Sequence, residues 1–173
     1  MNKAVFLDRD GVINDNSQLY YVTKVSDFKV LPGVKEALRE LKALGFLIII
    51  VTNQQAVGKG LMTEQELLQI HEFMKEQLPC IDDVFYCPHL EGTCDCRKPR
   101  TKLFELAGKK YSIDFKKSWV VGDSERDIVP GKKLGCKTIR ITKDKSLSKA
   151  DFSAGDLYTC VDIIKKFSSK EYI

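Results

Sequence analysis

The stretch that decides the fold is Ala4-Val5-Phe6-Leu7-Asp8-Arg9-Asp10-Gly11. Four apolar residues with no polar alternation predict a short strand buried on both faces. Two carboxylates, two residues apart, follow it at once. At the end of a buried strand such a pair can hold a metal ion and a phosphate, with one carboxylate attacking and the other moving protons. An Asp-Gly step is also a common turn, so the reading depends on what the rest of the chain supplies.

Outward from this stretch, short apolar runs alternate with amphipathic ones. Pro32-Gly33 opens a helical pattern with Val34, Ala37, Leu38, Leu41 and Leu44 on one face and Gly45 as its stop. Phe46 to Val51 reads as a second doubly buried strand. Thr63 and Glu66 form a capping box for a helix that carries Leu67, Leu68, Ile70, His71 and Met74 and ends near Leu78-Pro79. Val84-Phe85-Tyr86 is a strand, and Lys102 to Tyr111 a helix. Trp119-Val120-Val121 is a strand. Ser124 caps the next helix, which Pro130-Gly131 is expected to disturb or shorten. Lys137 to Ile141 is a strand. A last short strand near Leu157-Tyr158 and a helix from Val161 to Phe167 close the pattern, and Lys143 to Lys149 reads as a surface loop. The alternation predicts an α/β fold: a three-layer, Rossmann-like parallel sheet with helices on both faces. In such sheets ligands bind at the carboxyl ends of strands. Asp8, Thr52-Asn53 and Gly122-Asp123 all fall there.

The chain has 173 residues, 43% hydrophobic and 30% charged, with a net charge of +4. That suits one domain over residues 1–173 with a core large enough to fold alone. The mild, scattered charge gives no reason to expect nucleic acid or a membrane surface as partner. The longest aliphatic run, Phe46 to Val51, is too short to span a bilayer. No basic–apolar–small leader precedes the first strand, so a cytoplasmic location is expected.

Each further polar group has two readings. The Thr52 hydroxyl can bond a phosphoryl oxygen or serve a turn. Gly58-Lys59-Gly60 lacks the spacing of a Walker A loop and reads as a turn beside the site. Lys98, in Cys96-Arg97-Lys98-Pro99, can neutralise a phosphate, and Arg97 can bind an anion in bidentate fashion; a basic pair is otherwise a solvated face. Asp123 can anchor Mg²⁺ or cap a helix. Asp127 can orient a metal-bound water or Lys98.

The ordered set Asp8-x-Asp10-Gly11, Val51-Thr52-Asn53, Lys98 and Gly122-Asp123…Asp127 resembles the haloacid dehalogenase-like phosphatase superfamily, over nearly the whole chain. The resemblance implies hydrolysis of a phosphate monoester through an aspartyl-phosphate. Asp8 is then the nucleophile and Asp10 the general acid and base, whose role calls for a raised pKa. Mg²⁺ is held by Asp8, the backbone carbonyl of Asp10, and Asp123. Thr52 and Lys98 bind phosphoryl oxygens, and Asn53, Gln54 and Arg97 complete the substrate contacts. The intervals between motifs leave no room for a separate cap domain. The loop after Asp10, the Gln54–Gly60 turn and the metal loop are left to select the substrate, and Arg97 is placed to read a second anion such as a C1 phosphate. The expected partner is a small phosphate ester, and the expected state a monomer.

Six cysteines and two histidines complete the reading. Cys87, His89, Cys94 and Cys96 supply a closed Cys₃His set suited to structural zinc, with a Cys87–Cys94 disulfide or free thiols as alternatives. Cys80, Cys136 and Cys160 look like small core residues, and His71 like packing. A zinc loop running into Cys-Arg-Lys-Pro resembles one branch of the superfamily, which holds the D-glycero-D-manno-heptose 1,7-bisphosphate 7-phosphatases and the histidinol-phosphate phosphatases. The N-terminal half, with Asp8-Arg9-Asp10-Gly11-Val12-Ile13-Asn14 and Val51-Thr52-Asn53-Gln54, looks like the heptose enzymes. The short metal loop and Lys102-Leu103 look like the histidinol enzymes, and Gln55-Ala56 departs from the Ser-Gly common in the heptose group. The heptose reading leads and the histidinol reading is its alternative. Further off stand a zinc-containing nucleic-acid or protein-binding module, which the acidic Glu91 and Asp95 in the loop do not favour, and a nucleic-acid 3′-phosphatase.

Overall fold

The apolar runs pair as parallel strands. In the computed structural model, which describes residues 1–144 and 148–168, β1 (Ala4–Leu7), β2 (Leu47–Asn53), β3 (Asp83–Cys87), β4 (Trp119–Gly122), β5 (Lys137–Ile141) and β6 (Phe152–Ala154) form one parallel sheet. Its order is β3-β2-β1-β4-β5-β6. The chain progresses outward from β1 in one direction and returns to β4 to build the other, so the switch point lies between β1 and β4. Asp8 and Asp123 follow these two strands.

The strands lack polar alternation because both faces are covered. Val5, Leu7, Ile48 and Ile50 enter one core with α1 (Val34–Ala43), α3 (Glu64–Gln77) and α6 (Leu157–Ser168). Ala4, Phe6, Ile49 and Val51 enter the other with α4 (Lys102–Tyr111). There Phe6 meets Phe104 edge-on at 5.2 Å. Each fully buried Phe, Leu or Ile contributes about 1.5–3 kcal/mol of transfer free energy, so the alternate residues of one strand hold both helix layers. The remaining helices are α2 (Gln55–Gly58) and α5 (Glu125–Leu134). Among the described residues no helix is long and apolar enough to cross a membrane.

The expected capping box is present: the Glu66 N–H donates to Thr63 Oγ1, and the Thr63 N–H to Glu66 Oε2. Three expectations change. Leu157-Tyr158 is not a strand; β6 lies earlier. The Asp156 carboxylate accepts the Thr159 N–H at 2.7 Å, an N-terminal cap that starts α6 at Leu157. Pro130 does not interrupt α5, and it is buried within it. Packing overrides propensity here: a Cβ on Gly131 would lie 2.8 Å from Val120 Cγ2, so the helix is pressed onto β4. Part of the Gln54–Gly60 turn is the helix α2. The expected loop at Lys143 to Lys149 includes 145–147, which lie outside the described residues. Cys136 and Cys160 are buried as expected, whereas Cys80 is half-buried against the core.

Candidate active site

Strand ends converge on a cavity of about 400 Å³, lined by Asp8, Asp10, Arg97, Lys98, Asp123 and Asp127 among others. The turn after β1 is tight because the N–H groups of Val12, Ile13 and Asn14 all point at the Arg9 carbonyl, at 3.3, 2.8 and 3.2 Å. Gly11 has φ +79°, and a Cβ there would sit 2.3 Å from Asp123 Oδ2. Only glycine lets the two strand-end loops approach this closely.

The carboxylates of Asp8, Asp123 and Asp127 offer oxygens within 4.8 Å of one another. Lys98 Nζ lies 3.0 Å from Asp8 Oδ1 and 2.6 Å from Asp127 Oδ1, and donates to the Val51 carbonyl at 2.6 Å. Asn53 clamps the lysine's backbone: its Oδ1 accepts from Lys98 N–H at 3.0 Å, and its Nδ2 donates to Lys98 O at 3.1 Å. Ser124, at the start of α5, donates from N–H and Oγ to Asp127 Oδ2.

Burial, then the Asp127 charge, push the Asp8 carboxyl up to about 7, against the pull of Lys98. The same two causes raise Asp123 to about 6. Burial opposes the charge on Lys98, but Asp127 and Asp8 outweigh it and raise its pKa. Three carboxylates against one ammonium leave a negative excess. Clustered hard oxygen donors with that excess fit Mg²⁺; Asp8, whose Oδ1 alone meets Lys98 and the Arg9 N–H, and Asp123 can hold it, while both Asp127 oxygens are engaged by Lys98 and Ser124.

Asp10 corrects the sequence reading. Its carboxyl is not raised but lowered: burial pushes it up, and the Arg9 guanidinium with hydrogen bonds from Asn14 and Gln54 overcomes that. Its side chain lines the cavity and accepts from Arg9 Nη2 at 2.9 Å, Gln54 Nε2 at 2.8 Å and Asn14 Nδ2 at 3.0 Å. Arg9 and Asn14 are fully buried. Their part in the site was invisible in the sequence, where a charged residue between two aspartates reads as exposed. Thr52 is buried behind Gln54, whose Nε2 donates to its Oγ1 at 2.9 Å, and it does not line the cavity. Arg97 does line it, and its Nη1 is buried without a partner among the described residues. Asn16, Tyr20, Tyr21, Gln55, Ser124 and Arg126 line it as well, residues that the motifs do not single out as substrate contacts.

The second cluster lies beside β3. Cys87, His89, Cys94 and Cys96 bring their donors within 4.8 Å. Cys94 Sγ is 3.5 Å from Cys87 Sγ and 3.6 Å from Cys96 Sγ, and His89 Nδ1 is 3.5 and 3.4 Å from Cys87 and Cys96. A tetrahedral ion with bonds of about 2.0–2.3 Å sets its donors about 3.5–3.8 Å apart, so the set fits a closed metal site. The cysteines are free, not disulfide-bonded. α2 rests on this loop: a Cβ on Gly58 would lie 2.8 Å from the Pro88 carbonyl oxygen.

The family model for haloacid dehalogenase-like hydrolases matches residues 7–141. D-glycero-beta-D-manno-heptose-1,7-bisphosphate 7-phosphatase of Haemophilus ducreyi is 36% identical over 177 aligned positions, covering 94% of this chain and 96% of that one. The enzyme of the same name from Haemophilus influenzae is 42% identical over 79% of this chain and 78% of its own. The crystal structure of D,D-heptose 1,7-bisphosphate phosphatase from B. bronchiseptica, complexed with magnesium and phosphate, superposes with a TM-score of 0.85 at 27% identity, covering 95% of this chain and 99% of that one.

Proposed function

We propose, because the chain belongs to the haloacid dehalogenase-like hydrolases, that it is a phosphatase that removes the 7-phosphate of D-glycero-D-manno-heptose 1,7-bisphosphate. The observation that carries the substrate is the 36% identity to a heptose bisphosphatase over 94% of the chain. The cavity supports it: Arg97 presents a buried, unpartnered Nη1 there, a donor suited to the phosphate that is not cleaved.

Asp8 is the nucleophile. Its carboxylate oxygen bonds to phosphorus as the ester oxygen leaves; water then attacks the same phosphorus, the Asp8–phosphorus link breaks, and inorganic phosphate departs. Lys98, held charged by Asp127, neutralises the phosphoryl oxygens beside Asp8. Mg²⁺ bound by Asp8, Asp123 and the Asp10 carbonyl would supply charge neutralisation for the approach of two anions. Asp10 carries the proton, giving it to the leaving alkoxide and taking one from the attacking water. Its lowered pKa suits the second half. In the first half the incoming dianionic ester raises it by like-charge repulsion. Thr52, behind Gln54, fixes that amide against Asp10 rather than meeting substrate. Asn53 acts through Lys98.

We read Cys87, His89, Cys94 and Cys96 as ligands of a structural zinc ion that anchors the segment leading to Arg97 and Lys98. The shared sheet supports reading residues 1–173 as one catalytic domain; a monomer is the working state proposed.

The test is ³¹P NMR of heptose 1,7-bisphosphate turnover with Mg²⁺. The reading requires loss of the C7 resonance with the C1 phosphate intact, and none in Asp8→Asn. Cleavage at C1, or turnover by Asp8→Asn, overturns it.

A further inference from the structure

His71 is a buried imidazole that no step above uses. It projects from α3, with its ring 5.4 Å from that of Tyr86, and its Nε2 lies 3.3 Å from Arg9 Nη1. A guanidinium only donates hydrogen bonds. Nε2 therefore accepts, and the ring is neutral with its proton on Nδ1. Burial, then the Arg9 charge, lower the pKa of His71 to about 3, so the ring stays an acceptor at neutral pH.

Arg9 is fully buried, and its donors are divided between two partners. Nε and Nη2 face Asp10, at 3.2 and 2.9 Å from Oδ1, and Nη1 faces His71. The Phe28 ring lies 6.0 Å from the guanidinium carbon. A planar guanidinium tethered on one side by His71 can present its other edge to a carboxylate in one orientation only. Without His71, Nη1 would be a buried donor with no acceptor, a penalty that swinging the fork off Asp10 would relieve.

We propose that His71 is a positioning residue for proton transfer: it accepts from Arg9, and Arg9 fixes the Asp10 carboxylate. The chain α3–His71–Arg9–Asp10 ties a helix on the sheet's face to the proton carrier. The inference rests on the reading of Asp10 given above.

Steady-state kinetics of the full, zinc-loaded chain on heptose 1,7-bisphosphate with Mg²⁺ test it. His71→Phe keeps the ring and removes the acceptor; kcat should fall about tenfold, a fraction of what general acid–base catalysis is worth, with KM within about twofold of wild type. His71→Gln restores an acceptor and should regain most of kcat. In an Asp10→Asn background His71→Phe should add no further loss, because the two act as a unit. Nitrogen-15 shifts of wild-type His71 should show the neutral ring protonated at Nδ1, a readout that survives if His71→Phe fails to fold. An undiminished His71→Phe, a Gln variant as slow as Phe, additive losses with Asp10→Asn, or a ring protonated at Nε2 would overturn the inference alone. A wild type that releases no phosphate, or an Asp10→Asn as fast as wild type, would overturn the reading of the site and this inference with it.

Discussion

Lys98 Nζ sits 2.6 Å from Asp127 Oδ1, with both side chains buried. Burial alone would drive the proton off the lysine. Asp127, with Asp8 second, reverses that and raises the pKa of Lys98. In the proposed mechanism Lys98 faces phosphoryl oxygens, which calls for a permanently charged ammonium, and Asp127 would serve the substrate through that lysine.

Asp127→Ala removes the nearer of the two carboxylates that hold Lys98. Breaking a buried ion pair from one side costs about 3–5 kcal/mol, and the remaining Asp8 contact places the effect near 3. Urea unfolding should show that loss, and kcat should fall with it. An unchanged midpoint would show that Lys98 does not need Asp127.

Gly11→Ala introduces a Cβ 2.3 Å from Asp123 Oδ2 at φ +79°. Asp123 must move, and the left-handed backbone costs a further 1–2 kcal/mol or so. The expected result is a Mg²⁺ requirement raised about tenfold, 1.4 kcal/mol being a factor of ten. Magnesium titration of activity checks it; an unshifted half-saturation would mean that Asp123 is not a ligand.

The cysteine cluster should carry one zinc per chain by elemental analysis. Cys94→Ser should lose it and lower the thermal midpoint. Activity should fall as well, because the segment from Cys96 leads straight to Lys98 and α2 rests on the loop at Gly58. Full activity without zinc would uncouple the loop from the site.

Asp151 accepts from Thr138 N–H at 2.8 Å, Thr138 Oγ1 at 2.7 Å and Lys132 Nζ at 2.8 Å. Burial opposes its charge, but Lys132 and Thr138 prevail and lower its pKa below the ordinary 3.8. A carboxyl depressed on folding stabilises above its unfolded pKa and loses that contribution as pH falls through the folded one. Asp151→Asn should therefore be less stable than wild type at neutral pH, with the gap closing below about pH 4. Melting curves across pH test this; a gap that widens in acid would contradict it.

The sheet was legible because doubly buried strands are written as unbroken apolar runs, and the motif order at strand ends placed Asp8, Lys98, Asp123 and Asp127 together. The Cys₃His cluster was legible from spacing alone. What misled were residues whose environment is set by tertiary contact. Pro130 signals a break, yet packing against β4 keeps α5 whole. Leu157 resembles a strand residue until Asp156 caps a helix there. The proton-carrying role of Asp10 calls for a raised pKa, and three buried donors, from Arg9, Asn14 and Gln54, reverse it. His71 reads as packing and Arg9 as one letter of a motif, and their link stays hidden, since no pattern in a sequence announces that a charged side chain and an imidazole 62 positions apart share a hydrogen bond.

The substrate assignment is tested most directly by kcat/KM for D-glycero-D-manno-heptose 1,7-bisphosphate and histidinol phosphate, measured side by side with Mg²⁺. A second phosphate met by Arg97 is worth about 1.5–3 kcal/mol of charge-assisted bonding, so a preference of up to about 100-fold for the bisphosphate is expected. Equal values, or a preference for histidinol phosphate, would contradict it.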